Sequence, residues 1–225
     1  MGMFGLRAGL TILALPWAAA WAAPCLAQAL LRAERPDPKV GDSTVYRELV
    51  VRTGEKRDTS LVVTAIDADK IVLEAGGSTS GARTFTRDLN PVEIKTGELV
   101  TSTFKPFWPY LQFPLAVGRR WDIPFDVEVV ARPANRNAKW QLKARVVAAE
   151  AVTVPAGTFQ SFKIVYDASF ATRQGGQSWT GAHKETAWYA PELQRIVKRD
   201  FEQSVPSKSA LDHHVIELVS FKSVP

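Results

Sequence analysis

The strongest constraint on the fold is an alternation of apolar and polar residues in two neighbouring stretches. In residues 121–129 the apolar side chains occupy every second position, and mostly acidic residues lie between them. Residues 138–146 show the same alternation, with basic residues and glutamine between the apolar ones. Successive side chains of a β-strand point to opposite faces, so this pattern predicts two half-buried strands joined by a short loop at residues 132–136.

Shorter stretches of the same kind, separated by turn residues, cover most of the chain from residue 41 onwards. Strands are predicted at residues 44–51, 61–66, 71–74, 162–170, 184–189, 193–201 and 211–221, with weaker ones at 83–87, 92–95 and 98–101. No stretch after residue 29 has the spacing of an amphipathic helix. The sequence therefore predicts an all-β meander: one strongly curved antiparallel sheet, an open or half-closed barrel, with full closure as the alternative.

A second hairpin is predicted where Val152 and Val154 are followed by Pro155, Ala156 and Gly157. Proline presets its own φ angle, and glycine takes a positive φ without steric cost. The alternating pattern then resumes towards residue 166, so the stretch reads as strand, tight turn and strand.

The N-terminus has the features of a signal peptide, with Arg7 before an apolar run over residues 10–23. Ala27, Gln28 and Ala29 form a small-x-small cleavage site, so we expect residues 1–29 to be removed and the protein to be exported to the periplasm. Residues 30–40 are expected to be a flexible leader, and residues 41–225 a single β domain. The only cysteine, Cys25, lies in the signal, so no disulfide is expected.

The net charge of +5 is mild and spread along the chain. A nucleic-acid-binding protein usually concentrates its basic residues in one stripe, so we expect no nucleic-acid partner. No run after the signal is apolar enough to span a bilayer, so contact with a membrane is expected to be peripheral at most.

No catalytic or metal-binding constellation is visible, so no catalytic residue, metal or cofactor is predicted. His183, His213 and His214 lack metal-ligand spacing and are expected on a solvated strand or its rim. Residues 77–81 resemble a nucleophile elbow with threonine at its centre and no following helix. Two carboxylate pairs are interpreted as a turn (Asp67 and Asp69) and as an outward strand face opposite Lys139 and Lys143 (Asp126 and Glu128).

Two groups of residues are candidates for binding. Five aromatic side chains lie in a proline-rich stretch that interrupts the strand pattern, and they are predicted to form the rim or lid of a ligand site: Phe104, Phe107, Trp108, Tyr110 and Phe113. The alternative is that they plug one end of the sheet as core. A weaker candidate is an anion contact around the first hairpin loop, made by Arg132, Arg136 and Lys139.

The stretches VTVPAGTFQSFKI, ETAWYAPELQRIVKRDF and IELVSFK, together with FPLAVGRRW upstream, resemble a family of uncharacterised exported bacterial proteins, the domain-of-unknown-function 3108-like group. The resemblance covers about residues 41–222. It implies an open, lipocalin-like or LolA/LolB-like half-barrel in the cell envelope. It supplies no catalytic residues.

These observations favour a non-enzymatic periplasmic protein that binds an apolar or amphipathic ligand, either a lipid or a lipid-linked glycan. The alternative is an envelope assembly or scaffold protein that docks a protein partner through an aromatic patch or through a sheet edge at residues 83–101. A third possibility, a hydrolase of envelope polymers, would require a buried carboxylate or histidine in a deep pocket.

Overall fold

A computed structural model describes residues 32–77, 80–98, 100–132, 134–208 and 210–224. The expected signal peptide, with Cys25, lies outside these residues, as does part of the loop at 77–81. The described residues form twelve strands and one short 3-10 turn at Pro206–Lys208. The strands are β1 (Ser43–Val50), β2 (Glu55–Ile66), β3 (Lys70–Gly77), β4 (Gly81–Thr86), β5 (Pro91–Thr96), β6 (Val100–Lys105), β7 (Arg120–Ala131), β8 (Arg136–Val154), β9 (Gly157–Gln174), β10 (Gln177–Ala190), β11 (Arg195–Val205) and β12 (Ala210–Lys222).

The strands form a closed antiparallel barrel in meander order. Each strand pairs with its neighbours in the chain, and β1 pairs with β12 from Ser43 opposite Lys222 to Val50 opposite His214. The predicted all-β meander with one strongly curved antiparallel sheet is confirmed, and the structure settles its closure, which the sequence left open: the barrel is closed. Pairing of the first and last strands depends on the accumulated twist and curvature of the whole sheet, which a local pattern does not contain.

Closure also removes the sheet edge that was predicted for residues 83–101. Within the described chain β4, β5 and β6 each pair with a neighbour on both sides. A strand with two partners has no free row of backbone groups for a partner protein to join. The hypothesis of docking through this edge therefore loses its structural basis.

The second predicted hairpin is confirmed, and its strands are longer than expected. The alternating stretch from residue 138 and the short strand at residues 152–154 belong to one strand, β8, which is continuous across a bulge between Val146 and Ala148. Strand β9 follows after Pro155 and Ala156. Gly157 has a φ of 139°, which glycine adopts easily and other residues rarely adopt.

Replacing Gly157 by alanine is expected to destabilise the barrel by about 1–2 kcal/mol, the usual cost of forcing an L-residue to a positive φ. A Cβ atom here would also lie 3.2 Å from the ring of Phe159. Gly175→Ala is the matched control for the contact with Phe159, because that turn glycine also has a positive φ, of 55°, but has open space around it. Chemical denaturation should show the larger loss for Gly157→Ala, and equal losses would contradict the steric argument.

The register of β7 and β8 partly confirms the predicted charge pairing. Asp126 lies opposite Lys139 as expected, but Glu128 lies opposite Asn137 and forms an ion pair with Lys105 on β6 at 3.0 Å. The same register extends round the barrel as an outer row of alternating charge, formed by Asp122, Lys143, Asp167, Lys184 and Glu202, with His213 opposite Glu202. These side chains largely neutralise one another on the outer surface.

The segment before β1 lies against one end of the barrel. Ala33 and Leu115 exchange two backbone hydrogen bonds of 2.8 Å, and both residues are buried. Arg35 forms an ion pair with Asp88 at 2.5 Å. Residues 32–40, predicted as part of a flexible leader, are thus tied to the loop after β6 and to the turn after β4.

The described residues include no helix that is long and apolar enough to cross a bilayer.

Candidate functional site

The aromatic stretch lies in the interior of the barrel, where its ring cluster packs against β7 and β8. It runs from the end of β6 into the connection between β6 and β7, with cis peptide bonds before Pro106 and Pro114. The ring centroid of Trp108 lies 5.1 Å from those of Phe125 and Trp140 and 5.4 Å from that of Tyr110. The segment therefore contributes directly to the larger hydrophobic core.

The predicted rim residues do not form one exposed surface. Phe104 and Tyr110 are buried, Trp108 and Phe113 are half-buried and pack on the core, and Phe107 is half-buried outside this cluster. This placement matches the alternative of a core plug. None of the five is among the residues that line the apolar cavity described below, so their contact with a ligand stays a prediction.

A buried polar network lies beside this aromatic cluster. The carboxylate of Glu185 accepts hydrogen bonds from Arg199 Nε at 2.5 Å and from Tyr110 Oη at 3.4 Å, and its Oε2 lies 3.0 Å from His183 Nε2. Arg199 also donates to Tyr110 Oη, and Tyr166 donates to the backbone oxygen of Tyr110 at 2.8 Å. The network thus links β9, β10 and β11 to the aromatic segment.

The prediction that all three histidines lie on a solvated strand or its rim is wrong for His183, which is only 3% exposed. On β10 this histidine shares the inward face with Glu185, Ala187 and Tyr189. The sequence contained one signal for this placement, because His183 and Glu185 lie at even spacing from the apolar residues Ala187 and Tyr189 and so share their strand face. Two polar residues on an apolar strand face indicate a buried polar pair, provided that the direction of that face is known.

The electrostatics of the network are those of a fixed ion pair. Burial alone would raise the pKa of Glu185, but the Arg199 guanidinium and the hydrogen bond with His183 outweigh it and lower that pKa below its ordinary value. Burial raises the pKa of Tyr110 and of Tyr166, so both phenols stay neutral. A general acid or base usually has a pKa near the working pH, whereas the pKa of Glu185 is shifted away from neutrality.

The other two histidines are neighbours on β12 and point to opposite faces of the strand. His213 Nε2 lies 2.8 Å from Asp200 Oδ1 on the outer surface, and His214 Nδ1 lies 2.9 Å from Glu48 Oε1. Within the described ranges, no three histidine, aspartate or glutamate side chains are grouped to hold a metal ion.

The other predicted candidates lie on the outer surface. Arg132, Arg136 and Lys139 are exposed near the turn between β7 and β8, at the barrel end opposite the cavity described below. Their anion contact stays a prediction. Asp67 closes the turn between β2 and β3, accepting backbone N–H groups of Asp69 and Lys70 at 2.9 and 2.7 Å, as expected for a local turn.

An apolar cavity of about 160 Å³ lies at the barrel end that carries the N-terminal segment. Strands β2, β3 and β4 contribute inward-facing side chains, the aromatic segment contributes a leucine, and the start of β11 contributes an isoleucine. Six apolar residues of the lining are Leu61, Val63, Leu73, Phe85, Leu111 and Ile196. Leu61, Leu73, Phe85 and Ile196 are only half-buried, so this part of the interior is less tightly packed than the core around Trp108.

Two backbone outliers border the cavity. Leu89 and Gln194 have φ angles of 60° and 54°, and they are the non-glycine residues with positive φ in the described chain. Both line the cavity, one from the turn after β4 and one from the turn after β10. A non-glycine residue in this conformation costs about 1–2 kcal/mol, and such strain tends to collect at binding and active sites.

Two polar side chains at the cavity already have partners. Tyr46 Oη donates to the backbone oxygen of Ile196 at 2.8 Å, and burial raises the pKa of this phenol to about 12. Asp42 accepts backbone N–H groups from Lys39 at 3.0 Å and from Val224 at 2.8 Å. Much of the lining therefore presents apolar surface together with polar groups whose hydrogen bonds are already made.

Comparison with known proteins supports the fold. A crystal structure of a candidate exported protein with a YmcC-like fold from Bacteroides fragilis aligns with a TM-score of 0.53 and 17% identity, covering 85% of this chain and 100% of the other. A candidate lipoprotein from Parabacteroides distasonis aligns with the same TM-score and 16% identity, covering 84% and 99%.

No protein-family model and no curated protein matches the chain, so its resemblance to the domain-of-unknown-function 3108-like family is not confirmed. At identities below 20% the two crystal structures show a shared architecture and leave the ligand open. The chain is a closed antiparallel barrel whose architecture resembles the YmcC-like fold.

Proposed function

We propose that this protein is a non-enzymatic barrel of the cell envelope that binds an apolar or amphipathic ligand, with lipids and lipid-linked glycans as the candidate classes. The observation that carries the proposal is the apolar cavity between β1–β4 and the start of β11. Apolar cavities with a few placed polar groups are the usual form of small-molecule sites, and β-barrel mouths are a frequent place for them.

The size of the cavity defines which part of a ligand it accepts. A volume of about 160 Å³ is close to that of an engineered apolar cavity that stays dry and binds benzene. It lies below the range of about 300–1,000 Å³ that is typical of pockets for drug-sized ligands. The site therefore suits a ring or about six carbons of an acyl chain, with the rest of a larger molecule outside.

Two arguments support a non-enzymatic role. The carboxylate of Glu185, the buried acid that a hydrolase would need, is ionised and held by Arg199, His183 and Tyr110. At the cavity itself, the side chains of Tyr46 and Asp42 form hydrogen bonds with backbone groups. These polar groups position the barrel walls and the N-terminal segment.

The envelope location has two independent sources of support. The first 29 residues have the charge, apolar run and cleavage site of a signal peptide. The two crystal structures of similar fold belong to a candidate exported protein and a candidate lipoprotein.

Filling the cavity is expected to weaken binding strongly. Leu61→Trp adds bulk on the inward face of β2, so we expect the affinity for 1-hexanol, measured by isothermal titration calorimetry, to fall at least about tenfold, as when a ligand loses its place among packed side chains. Val62→Trp is the matched control, because Val62 lies on the outer face of the same strand and is 38% exposed. Absence of hexanol binding to the wild type, or equal affinities of the two variants, would contradict the proposal.

A further inference from the structure

Arg195 is a cation at the cavity with no acidic partner in the described part of the chain. It begins β11 and lines the cavity. Its Nε donates to the backbone oxygen of Leu193 at 2.8 Å, and its guanidinium lies 5.7 Å from the ring centroid of Phe221. Across the described ranges its two terminal nitrogens make no hydrogen bond and no ion pair.

The other charged side chain of the lining, Asp42, forms no ion pair with this cation. Both carboxylate oxygens of Asp42 are engaged, one by the backbone N–H of Lys39 and the other by that of Val224. The cavity therefore combines an apolar interior with a cation at its edge that forms no ion pair within the described residues. The charge of Arg195 also acts on the interior, because it partly offsets the rise that burial causes in the pKa of Tyr46.

The turn before β11 holds Arg195 in place. Leu193 and Gln194 donate backbone hydrogen bonds to Ala190 and Pro191 at 3.2 and 3.1 Å, which closes the turn. The side-chain oxygen of Gln194 accepts a hydrogen bond from the backbone N–H of Asp37 at 2.6 Å. The N-terminal segment thus holds Gln194, the residue of positive φ next to Arg195, in its position. A guanidinium held in this way loses little freedom when it binds a planar anion.

We propose that the ligand is an anionic amphiphile, whose alkyl chain of about six carbons fills the cavity and whose carboxylate or phosphate contacts the terminal nitrogens of Arg195. This inference rests on the proposed function and adds the charge of the ligand to it. The two free terminal nitrogens offer parallel N–H groups, the geometry that binds carboxylate and phosphate in a bidentate way.

Calorimetric titration with four six-carbon probes tests the charge directly: hexanoate, hexyl phosphate, 1-hexanol and hexylamine. At neutral pH and low salt we expect at least one of the two anions to bind about tenfold tighter than hexanol, because hydrogen bonds to a charged group are about twice as strong as neutral ones. Hexylamine is expected to bind more weakly than hexanol. The two anions distinguish a carboxylate ligand from a phosphate ligand.

Variants of Arg195 separate its role in binding from any role in folding. Arg195→Gln should reduce the affinity for the preferred anion to the level of hexanol and leave hexanol binding unchanged. Arg195→Lys keeps the charge, so it should retain part of the preference and provides a second test if the glutamine variant does not fold. Lys198→Gln is the control, since Lys198 lies on the outward face of β11 and pairs there with Glu217 at 2.7 Å.

Equal affinities for the anions and hexanol, or tighter binding of hexylamine, would overturn the inference and leave the proposed function standing. An anion preference that survives in Arg195→Gln would also overturn it, because the charge would then be recognised elsewhere. If none of the four probes binds the folded wild type, both the proposed function and the inference fail.

Discussion

Replacing Glu185 by glutamine is expected to lower the free energy of unfolding by about 3–5 kcal/mol, the usual cost of leaving one member of a buried ion pair without its partner. The Glu185 side chain is 1% exposed and Arg199 Nε donates to it at 2.5 Å. Glutamine keeps the size of the side chain but removes the charge that Arg199 and His183 face. Denaturant unfolding at neutral pH, followed by circular dichroism, measures the loss.

The same variant has a predictable pH dependence. Because the pKa of Glu185 is lower in the folded protein than its ordinary value of about 4.3, this group stabilises the fold above that value. The contribution is lost as the pH falls through the folded pKa, where the wild-type carboxyl becomes neutral like the glutamine amide. We therefore expect the stability difference between wild type and Glu185→Gln to be full at pH 7 and to shrink in acid below about pH 4.

Glu202→Gln is the matched control for this prediction. Glu202 lies on the outer face of the neighbouring strand with a half-exposed side chain, so its removal should cost at most about 1 kcal/mol. A double variant, Glu185→Leu with Arg199→Met, should be more stable than the sum of its single changes predicts, since it removes both charges. Equal costs for Glu185→Gln and Glu202→Gln would show that the network does not stabilise the barrel.

Trp108→Ala is expected to destabilise the protein by about 3–5 kcal/mol, the range observed when a large aromatic side chain is removed from a packed core. The Trp108 ring contacts aromatic rings of the aromatic segment, β7 and β8, with centroid distances of 5.1–5.5 Å. Its loss leaves a void at the centre of this cluster and loosens the connection between β6 and β7. Chemical denaturation measures the stability, and near-ultraviolet circular dichroism reports the loss of ordered aromatic packing.

Phe107→Ala is the control for Trp108→Ala within the same aromatic segment. Phe107 is half-buried, and it lies outside the cluster around Trp108. Its truncation should cost about 1 kcal/mol, in line with the smaller apolar area that it removes from water. A loss at Trp108 no larger than that at Phe107 would contradict the assignment of this segment to the core.

The strands could be predicted from the sequence because their signal is local. Alternation in residues 121–129 and 138–146 gave the correct faces for Phe125 and Trp140, which lie opposite each other, and for Asp126 and Lys139. Closure of the barrel could not be predicted in this way. It depends on β1 meeting β12 across more than 150 residues of chain, and neither strand carries a pattern that identifies its partner.

The buried network escaped prediction for a different reason. Glu185 has partners from three separate parts of the chain, with Tyr110 lying 75 residues away and Arg199 lying 14 residues away. The even spacing of His183 and Glu185 from Ala187 and Tyr189 was visible, but a charged residue on an apolar face becomes meaningful only when its partner is known.

The cavity could not be predicted because volume is a property of packing. Phe85 and Leu61 read as ordinary core positions of short strands, and only the assembled barrel shows that they leave space between them. Arg195 likewise lies within a predicted strand, at residues 193–201, with no local sign of a special role. The sequence pointed instead to the aromatic segment, because five aromatic residues among prolines are conspicuous whether they bind a ligand or fill a core.

Native mass spectrometry of the protein isolated gently from its own envelope tests the central claim most directly. We predict that an amphiphile is bound to the wild type and to the control Val62→Trp but not to Leu61→Trp, and that the released amphiphile carries a negative charge. A wild-type protein that carries no ligand, and that shows no mass shift when envelope lipids are added, would contradict the account.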